Sequence, residues 1–220
     1  KFGIPENKIK LIPLSFNPPD ISESEERKMK KTRLLFVGRI VPLKNLDVLL
    51  KAVKIVKKDI PEIEFTIVGE EISGRLHGDI GYKQKLLVLV NELKIKENVK
   101  FVGWKTGKEL WDIYQNSDLF LFASTYENFG LPLLEAAYFR LPLVSTDVGV
   151  AKDLIDGNKG GNIISKLDAN EFAKNIITLL KNDLTYEGAS KFVFDESKNF
   201  SIKSIAKKYE EIYSGCIKNE

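Results

Sequence analysis

The chain has 220 residues, of which 43% are hydrophobic and 30% charged, and its formal net charge is +3. This balance is typical of a globular protein with a sizeable buried core. The single cysteine, Cys216, and the single histidine, His77, exclude a disulfide framework and a Cys- or His-rich metal site within the chain, and no apolar run is long enough to span a membrane.

The first 31 residues are interpreted as a segment that leads into a domain. The chain begins at Lys1 without a visible signal peptide, and residues 1–13 are typical of a helix end, a turn and a short strand. The polar, proline-punctuated segment from Asn17 to Lys31 is the best linker candidate. We therefore expect a fragment of a longer protein: an interdomain linker and leading strand over 1–31, a domain over 32–198 and a C-terminal helix over 199–220.

Short apolar runs alternate with helix-period segments along the rest of the chain. The predicted strands are Leu34–Val37, Ile63–Val68, Val99–Val102, Leu119–Phe122, Leu143–Ser145 and Asn162–Ile164. The predicted helices are Asn45–Lys58, Tyr82–Leu93, Lys108–Asn116, one beginning near Pro132, one opened by a capping box of Asp168 and Glu171, and one from about Ser201. This alternation predicts an α/β fold with a doubly wound, Rossmann-like parallel sheet of about six strands. Such sheets bind ligands at the carboxyl ends of their strands.

The common nucleotide and nucleophile motifs are missing. No G-x-G-x-x-G follows a strand, and Gly103–Lys108 lacks both the glycine spacing and the Ser or Thr of a P-loop. No G-x-S-x-G occurs, and a Ser-His-Asp triad would depend on His77, which lies in a glycine-containing loop at 70–81 that we expect to be flexible. Basic and aromatic residues do not interleave, so no nucleic-acid partner is expected.

The positive charge is concentrated in one stretch. From Arg27 to Lys58 there are eleven Lys or Arg residues and one acid, Asp47. Three interpretations stay open: a solvated lysine-rich helix face with a basic loop, an anion site, or contact with an anionic membrane surface.

The first candidate site is F-V-G-R-I-V-P-L-K-N, from Phe36 to Asn45. A predicted strand ends at Gly38, Arg39 and Lys44 follow on the loop, and Asn45 can cap the next helix. Two cations beside the free N–H groups of a helix start suit a diphosphate, and the glycine lets a ligand approach the backbone. The alternative is two surface cations near a turn.

The second candidate site is S-T-Y-E-N-F-G-L-P-L-L-E-A-A, from Ser124 to Ala137. Pro132 falls at the first or second position of a helix, where its missing donor is tolerated. The N–H groups expected to face a ligand are those of Phe129, Gly130 and Leu131. Glu127 lies in the preceding loop, and Glu135 lies one turn inside the helix, where burial demands a partner. That partner is either a lysine or arginine, or the two hydroxyls of a vicinal diol. Together the two sites indicate a pocket for a nucleotide diphosphate sugar.

These blocks, over nearly the whole chain, resemble the retaining family 4 glycosyltransferases of the GT-B fold. The hallmark E-x7-E is present as E-N-F-G-L-P-L-L-E, from Glu127 to Glu135, and F-V-G-R-x-x-x-x-K is present from Phe36 to Lys44. The blocks V-K-F-V-G-W at 99–104 and R-L-P-L-V-S-T-D-V-G at 140–149 are similar to further family segments in the same order. The segments at 14–17 and 149–153 depart from the family pattern.

The resemblance implies a role for each matched residue. Arg39 and Lys44, next to Gly38, would hold the donor diphosphate, and Glu127 would bind the transferred sugar and help stabilise its developing charge; these three residues are the expected catalytic residues. Glu135 would bind the ribose hydroxyls. The other expected substrate contacts are Asn128, where the family usually has Gly or Ser, the backbone of Phe129, Gly130 and Leu131, and the base-lining Val102, Gly103, Trp104 and Lys105. No cofactor and no essential metal is expected.

The resemblance also implies that the chain is the C-terminal, donor-binding half of a two-domain enzyme. A glycan or lipid-linked acceptor would bind through a missing N-terminal domain, towards which the last helix would present apolar surface, so the chain alone would be inactive. A cytoplasmic location is expected, with peripheral membrane contact as an option. Two other functions stay open: a non-catalytic nucleotide-sugar-binding module and a GT-B nucleotide-sugar epimerase. The base, sugar and acceptor are not specified by these residues.

Overall fold

The structure, a computed structural model, describes residues 3, 5, 8–17, 19, 30–71 and 81–217. His77, most of the loop around it and most of the predicted linker lie outside these residues. The strands are β1 (Arg33–Val37), β2 (Glu64–Val68), β3 (Val99–Gly103), β4 (Leu119–Phe122), β5 (Leu143–Thr146) and β6 (Gly161–Ile164). All six predicted strands are therefore confirmed, because each boundary lies within about one residue of its prediction.

The helices of the described residues alternate with these strands as far as β6, and three more helices follow β6. They are α1 (Leu46–Val56), α2 (Tyr82–Glu92), α3 (Gly107–Gln115), α4 (Leu131–Tyr138), α5 (Ala151–Ile155), α6 (Ala169–Lys181), α7 (Asp183–Ser197) and α8 (Ile202–Ile217). Short 3₁₀ turns occur at Pro42–Lys44, Lys96–Asn98 and Lys198–Phe200. The predicted helices are all present, whereas α5 and α7 were not predicted.

The strands form one parallel sheet in the order β3-β2-β1-β4-β5-β6. The order reverses between β1 and β4, which are neighbours although two strands separate them in the chain. The connections that follow β1 and β4 therefore lead towards opposite sides of the sheet, and the carboxyl edge at this point is the crevice in which such sheets usually bind ligands. The predicted doubly wound α/β fold is confirmed.

The core lies on both faces of the sheet. Every side chain of β4, with the sequence L-F-L-F, is fully buried, and alternate residues of a strand point to opposite faces. Helix α1 packs against α2 and α6, and α4 packs against α5 and α7. The apolar stripe predicted for α1 is buried as expected: Leu46, Leu49, Leu50, Val53 and Val56. Each such side chain contributes about 1.5–3 kcal/mol on burial, and together they fix the loops at the carboxyl edge on a rigid base.

The predicted capping box of α6 is half correct. The Asp168 side chain accepts hydrogen bonds from the backbone N–H groups of Asn170 and Glu171, at 2.9 and 3.0 Å, as an N-cap does. The Glu171 carboxylate does not return to Asp168. It accepts instead from the N–H groups of Ser165 and Lys166, because the chain before the cap turns back over the first helical turn.

A segment near the start of the chain contacts the turn that leads into α8. In place of the predicted leading strand, residues 8–17 make one bridge, from Phe16 to Ser201, and the Phe16 N–H donates to the Phe200 carbonyl at 2.9 Å. Helix α8 leaves Ile202, Tyr209 and Tyr213 exposed, in agreement with the apolar surface expected on it. None of the helices described has the length and apolarity needed to cross a membrane. The linker and interdomain roles of the two ends stay predictions.

Candidate functional site

The two motifs singled out in the sequence lie side by side at the switch point of the sheet. The first follows β1 and the second follows β4, and several hydrogen bonds join the two loops. Among them, the Thr125 N–H donates to the Leu43 carbonyl at 3.1 Å, and Asn45 Nδ2 donates to the Ala123 carbonyl at 2.8 Å. Asn45 does occupy the N-cap position of α1, but its side chain makes no cap. Its amide is used for the tie between the loops, so the predicted capping role is wrong.

At the centre of the site Lys44 and Glu127 form a partly buried ion pair. Lys44 Nζ lies 2.5 Å from Glu127 Oε2 and 3.4 Å from Ser124 Oγ, and it sits 4.9 Å from the centre of the Phe122 ring. The lysine is only 5% exposed, whereas the Glu127 side chain is 24% exposed. Burying a lone charge costs several kcal/mol, so this pairing is what allows a lysine to lie here.

The ion pair leaves hydrogen-bonding capacity on both partners. An ammonium group carries three donors, and Glu127 and Ser124 are the acceptors within reach of Lys44 among the described residues. The carboxylate of Glu127 accepts through Oε2, and its Oε1 has no partner in the described part of the chain. The site therefore offers one N–H donor of a buried cation and one carboxylate oxygen within the same crevice.

The start of α4 presents backbone donors beside this pair. Gly130 is the N-cap, with a φ of +87° that disfavours other residues, and Pro132 follows within the first turn as predicted. The N–H groups of Phe129, Gly130 and Leu131 donate to no described residue. They remain available for an acceptor, and the helix dipole favours an anion at this position.

Gly149 fixes the loop that carries these donors. A side chain at Gly149 would place its Cβ 2.2 Å from the Phe129 carbonyl oxygen, and its φ is +53°. The next residue, Val150, donates its N–H to that same carbonyl at 2.8 Å. The segment after β5 thus packs directly against the backbone of the second motif, a contact that the sequence did not indicate.

The second glutamate, Glu135, has a partner that was not predicted. The hydroxyl of Tyr114 donates to Glu135 Oε2 at 2.7 Å, and no described lysine or arginine pairs with this carboxylate. Burial raises the pKa of Glu135, and the Tyr114 hydrogen bond opposes part of that rise. Burial, with the nearby carboxylate, also holds the pKa of Tyr114 well above its usual value. Of the leucines on α4, Leu133 and Leu134 seat the helix on the core, whereas Leu131 is exposed.

The residues predicted to line a base lie further along the same edge. Gly103 ends β3, and its carbonyl accepts from the Gly69 N–H at 2.9 Å. Trp104 is 61% exposed, and Lys105 pairs with Glu109 at 3.3 Å. Because β3 is two strands from β1, Gly103 lies about 10 Å from the end of β1, so an elongated ligand is needed to reach both. Val102 is half-buried in β3.

Arg39 and Asn128 complete the predicted set. Arg39 is half-buried directly after Gly38, on a loop held to the end of β2 by the hydrogen bond from the Ile40 N–H to the Glu70 carbonyl, 2.9 Å. Asn128 is exposed, and its Oδ1 accepts from the hydroxyl of Tyr126 at 2.7 Å. Tyr126 was missed by the sequence reasoning, although its position beside Glu127 in the motif could have drawn attention to it.

Four cations of the basic stretch form ion pairs within the chain, and two of these pairs are exposed. Besides Lys44, Arg33 pairs with Asp118 and Lys51 with Asp47, and Lys31 pairs with Asp183. These contacts favour a structural use for the charges, and membrane contact stays a prediction. Among the described residues, no group of three or more Cys, His, Asp or Glu side chains is placed to hold a metal ion.

Comparisons with known proteins agree with this arrangement. The family model described as "Glycosyl transferases group 1" matches residues 18–194. The GtfA subunit of UDP-N-acetylglucosamine–peptide N-acetylglucosaminyltransferase from Streptococcus parasanguinis is 28% identical over 202 residues, 91% of this chain and 37% of that protein. The poly(ribitol-phosphate) alpha-N-acetylglucosaminyltransferase of Staphylococcus aureus is 28% identical over 180 residues, 81% of this chain and 34% of that protein.

Solved structures give the same result. The crystal structure of the pneumococcal O-GlcNAc transferase GtfA in complex with UDP and GlcNAc superposes with a TM-score of 0.71 at 25% identity, covering 84% of this chain and 36% of that chain. The six-stranded sheet is that of GT-B glycosyltransferases. The chain spans less than half the length of the relatives named here.

Proposed function

The chain belongs to the family of group 1 glycosyl transferases, and on that basis we propose that it is the donor-binding domain of a retaining, family 4 glycosyltransferase. The whole enzyme transfers a sugar from a nucleotide diphosphate sugar to a hydroxyl of a glycan, a lipid or another acceptor. The E-x7-E spacing of Glu127 and Glu135 supports the finer family assignment.

The observation that carries this proposal is the Lys44–Glu127 pair at the switch point. A nucleotide diphosphate sugar combines a diphosphate, whose negative charge is stabilised by cations, with a sugar ring, whose hydroxyls donate to acceptors such as a carboxylate. The crevice offers a buried cation and a partly open carboxylate in contact with each other, beside the unused N–H groups at the start of α4. Arg39, on the same loop as Lys44, adds a second cation.

The pair has a direct part in the proposed reaction. As the bond between the sugar and the diphosphate breaks, negative charge grows on the leaving phosphate and positive charge grows on the sugar ring. Lys44 and Arg39 stabilise the first, and Glu127 stabilises the second. In other enzymes a metal ion neutralises the charge on the leaving diphosphate. Here the side-chain cations can do so, and we propose that transfer needs no metal and continues in EDTA. We assign no nucleophile.

We assign the ribose and the base of the donor to the remaining predicted contacts. The ribose hydroxyls lie at Glu135, and the base lies near Gly103 and Trp104 along the carboxyl edge. Uridine is the first base to test, because the names of relatives include UDP. Asn128 lies one residue from Glu127 and is the residue we assign to sugar choice.

The acceptor is expected to bind elsewhere in a complete enzyme. The chain spans 37% and 34% of two relatives, and α8 exposes two tyrosines and an isoleucine. We therefore propose that the 220-residue chain binds nucleotides without transferring a sugar. Full transfer by this chain alone would contradict that part of the proposal.

The test uses calorimetry and a transfer assay. The chain should bind at least one of UDP, GDP and ADP, and failure of all three would overturn the proposal. In a protein where the chain is joined to its acceptor-binding half, Glu127→Gln should lower the transfer rate about 100-fold or more and change nucleotide affinity less than about threefold. Glu64→Gln is the control, because Glu64 pairs with Lys100 at the same 2.5 Å on the surface.

Two other outcomes separate the alternative functions. A donor sugar that binds but is never transferred by the joined protein would indicate a binding module. A donor sugar that is epimerised without any acceptor would indicate an epimerase.

A further inference from the structure

The contact between Tyr114 and Glu135 joins helix α3 to the helix that carries the second glutamate. The Tyr114 hydroxyl donates to Glu135 Oε2 at 2.7 Å and lies 3.5 Å from the Pro132 carbonyl oxygen. The other carboxylate oxygen, Oε1, has no partner among the residues described. One oxygen of Glu135 is thus held by the protein, and the other is left for a ligand.

Tyr114 is itself held on several sides. Its ring stacks on Phe139 with the centroids 5.3 Å apart and the planes 4° apart, and Trp111 and Phe120 lie at 6.2 and 6.1 Å. The side chain has no exposed surface. A tyrosine packed in this way cannot swing its hydroxyl away without opening the core. The hydroxyl is therefore a fixed donor, whereas a glutamate side chain has rotamers that cost free energy to order.

We propose that Tyr114 is a positioning residue for the nucleotide ribose, whose hydroxyl fixes the Glu135 carboxylate so that Oε1 faces the two ribose hydroxyls. The inference rests on the proposed function and deepens it, because it assigns the recognition of a ribose, as opposed to a deoxyribose, to a residue outside both sequence motifs. Tyr114 does not touch the ligand and acts through Glu135.

The competing explanation is that Tyr114 only satisfies a buried hydroxyl. The chain offers a matched control for that possibility in Tyr186. Its side chain is also fully buried, and its hydroxyl donates to the Asp118 carbonyl at 2.6 Å, at the opposite edge of the sheet. Removing either hydroxyl should have a similar effect on stability, about 0.5–1.5 kcal/mol for one hydrogen bond, but only one of the two should alter ribose recognition.

The experiment measures dissociation constants of the 220-residue chain by calorimetry. The ligands are UDP, GDP and ADP with their 2′,3′-dideoxy counterparts, and the variants are Tyr114→Phe and Tyr186→Phe. For the nucleotide that binds best, we expect the unaltered chain to prefer the ribose form about tenfold or more, as is typical of a hydrogen bond to a carboxylate. Tyr114→Phe should reduce this preference to about threefold or less, mainly through weaker binding of the ribose form. Tyr186→Phe should leave the preference unchanged.

Each result has a clear meaning. An unchanged preference in Tyr114→Phe, or equal weakening of both ligand forms, would overturn this inference while the proposed function stands. Absence of binding by the unaltered chain would overturn both. If Tyr114→Phe does not fold, Phe139→Leu replaces it, since this change loosens the stacked ring but keeps the hydroxyl. It should lower the preference part of the way, and an unchanged preference there would also contradict the inference.

Discussion

Two ion pairs join the same two strands at opposite edges of the sheet. At the amino edge, Arg33 in the first position of β1 pairs with Asp118, the residue before β4, at 2.8 Å. At the carboxyl edge, Lys44 after β1 pairs with Glu127 after β4 at 2.5 Å. Both pairs cross the point where the strand order reverses, so they differ in surroundings and not in topology.

The difference lies in how fully each carboxylate is satisfied. Asp118 has no exposed surface and accepts four hydrogen bonds, from the N–H groups of Thr32 and Arg33 and from two nitrogens of the Arg33 side chain. Asp118 also raises the pKa of Arg33. Glu127 accepts one hydrogen bond from the residues described and is partly open to solvent. A carboxylate whose acceptors are all used is structural, and one with unused acceptors at a crevice is available to a ligand.

The largest effect is expected from a substitution that breaks the Arg33–Asp118 pair. Asp118→Asn removes the buried carboxylate that pairs with the partly buried guanidinium of Arg33 and turns an amide N–H₂ towards it. We expect the free energy of unfolding to fall by about 3–5 kcal/mol. Glu127→Gln removes the charge that pairs with the buried Lys44 but keeps an amide oxygen towards it at a position that is 24% exposed, so we expect a smaller loss of about 1–3 kcal/mol. Urea denaturation of both variants measures the difference.

The comparison would fail if the two variants lost equal stability. In that case the Lys44–Glu127 pair would be as structural as the pair at the amino edge, and its assignment to a ligand would lose its main support. Nucleotide binding by folded Asp118→Asn, measured at low temperature, is the accompanying check and should be preserved.

The strands were predictable because their local composition, their flanking turn residues and their burial all favour the same structure. Each is a short apolar run bounded by turn residues, and β4 is apolar throughout because it is buried on both faces. Helix α7 was missed because its sequence D-L-T-Y-E-G-A-S-K-F-V-F-D-E-S carries little amphipathic contrast. Three of its four buried residues are a tyrosine, an alanine and a serine: Tyr186, Ala189 and Ser197. Small and polar residues at helical spacing do not reveal a core-facing stripe.

The sequence motifs predicted which residues line the candidate site, but they did not predict which of these side chains contact each other. Lys44 and Glu127 are 83 positions apart in the chain, and their contact depends on β1 lying next to β4, which local patterns do not specify. For Glu135 the sequence indicates the need for a partner and leaves two kinds open, a cation or a ligand diol. The actual partner is Tyr114, on the same buried side of α3 as Leu110, four residues earlier. The sequence signal for this contact was Tyr114 on the apolar side of α3, because a buried tyrosine hydroxyl needs an acceptor.

The second prediction tests whether the carboxyl-edge cation serves the diphosphate. Lys44→Met keeps the apolar stem and removes the charge, so UDP, or whichever nucleoside diphosphate binds best, should bind about tenfold to a hundredfold more weakly. Binding of the corresponding nucleoside, which has no phosphate, should be unchanged. Lys100→Met is the matched control, since Lys100 forms an exposed pair of the same 2.5 Å length with Glu64. Equal weakening of nucleoside and diphosphate would place Lys44 among structural residues.

The smallest expected effect concerns Glu135, whose partner Tyr114 is neutral and which pairs with no cation among the described residues. Its pKa is raised by burial, so the folded chain holds this proton more tightly than the unfolded chain does. The contribution of Glu135 to stability is therefore most favourable below the ordinary value of 4.5 and is lost as the pH rises through the raised pKa. Glu135→Gln should then raise the free energy of unfolding at pH 7 by about 1 kcal/mol or less, and this gain should vanish near pH 4. Urea denaturation at both pH values gives the sign of the stability change, which is opposite to that expected for Asp118→Asn.

A loss of stability at pH 7 would show that Glu135 is a structural carboxylate like Asp118. A gain accompanied by weaker nucleotide binding would show that this charge is kept for its ligand.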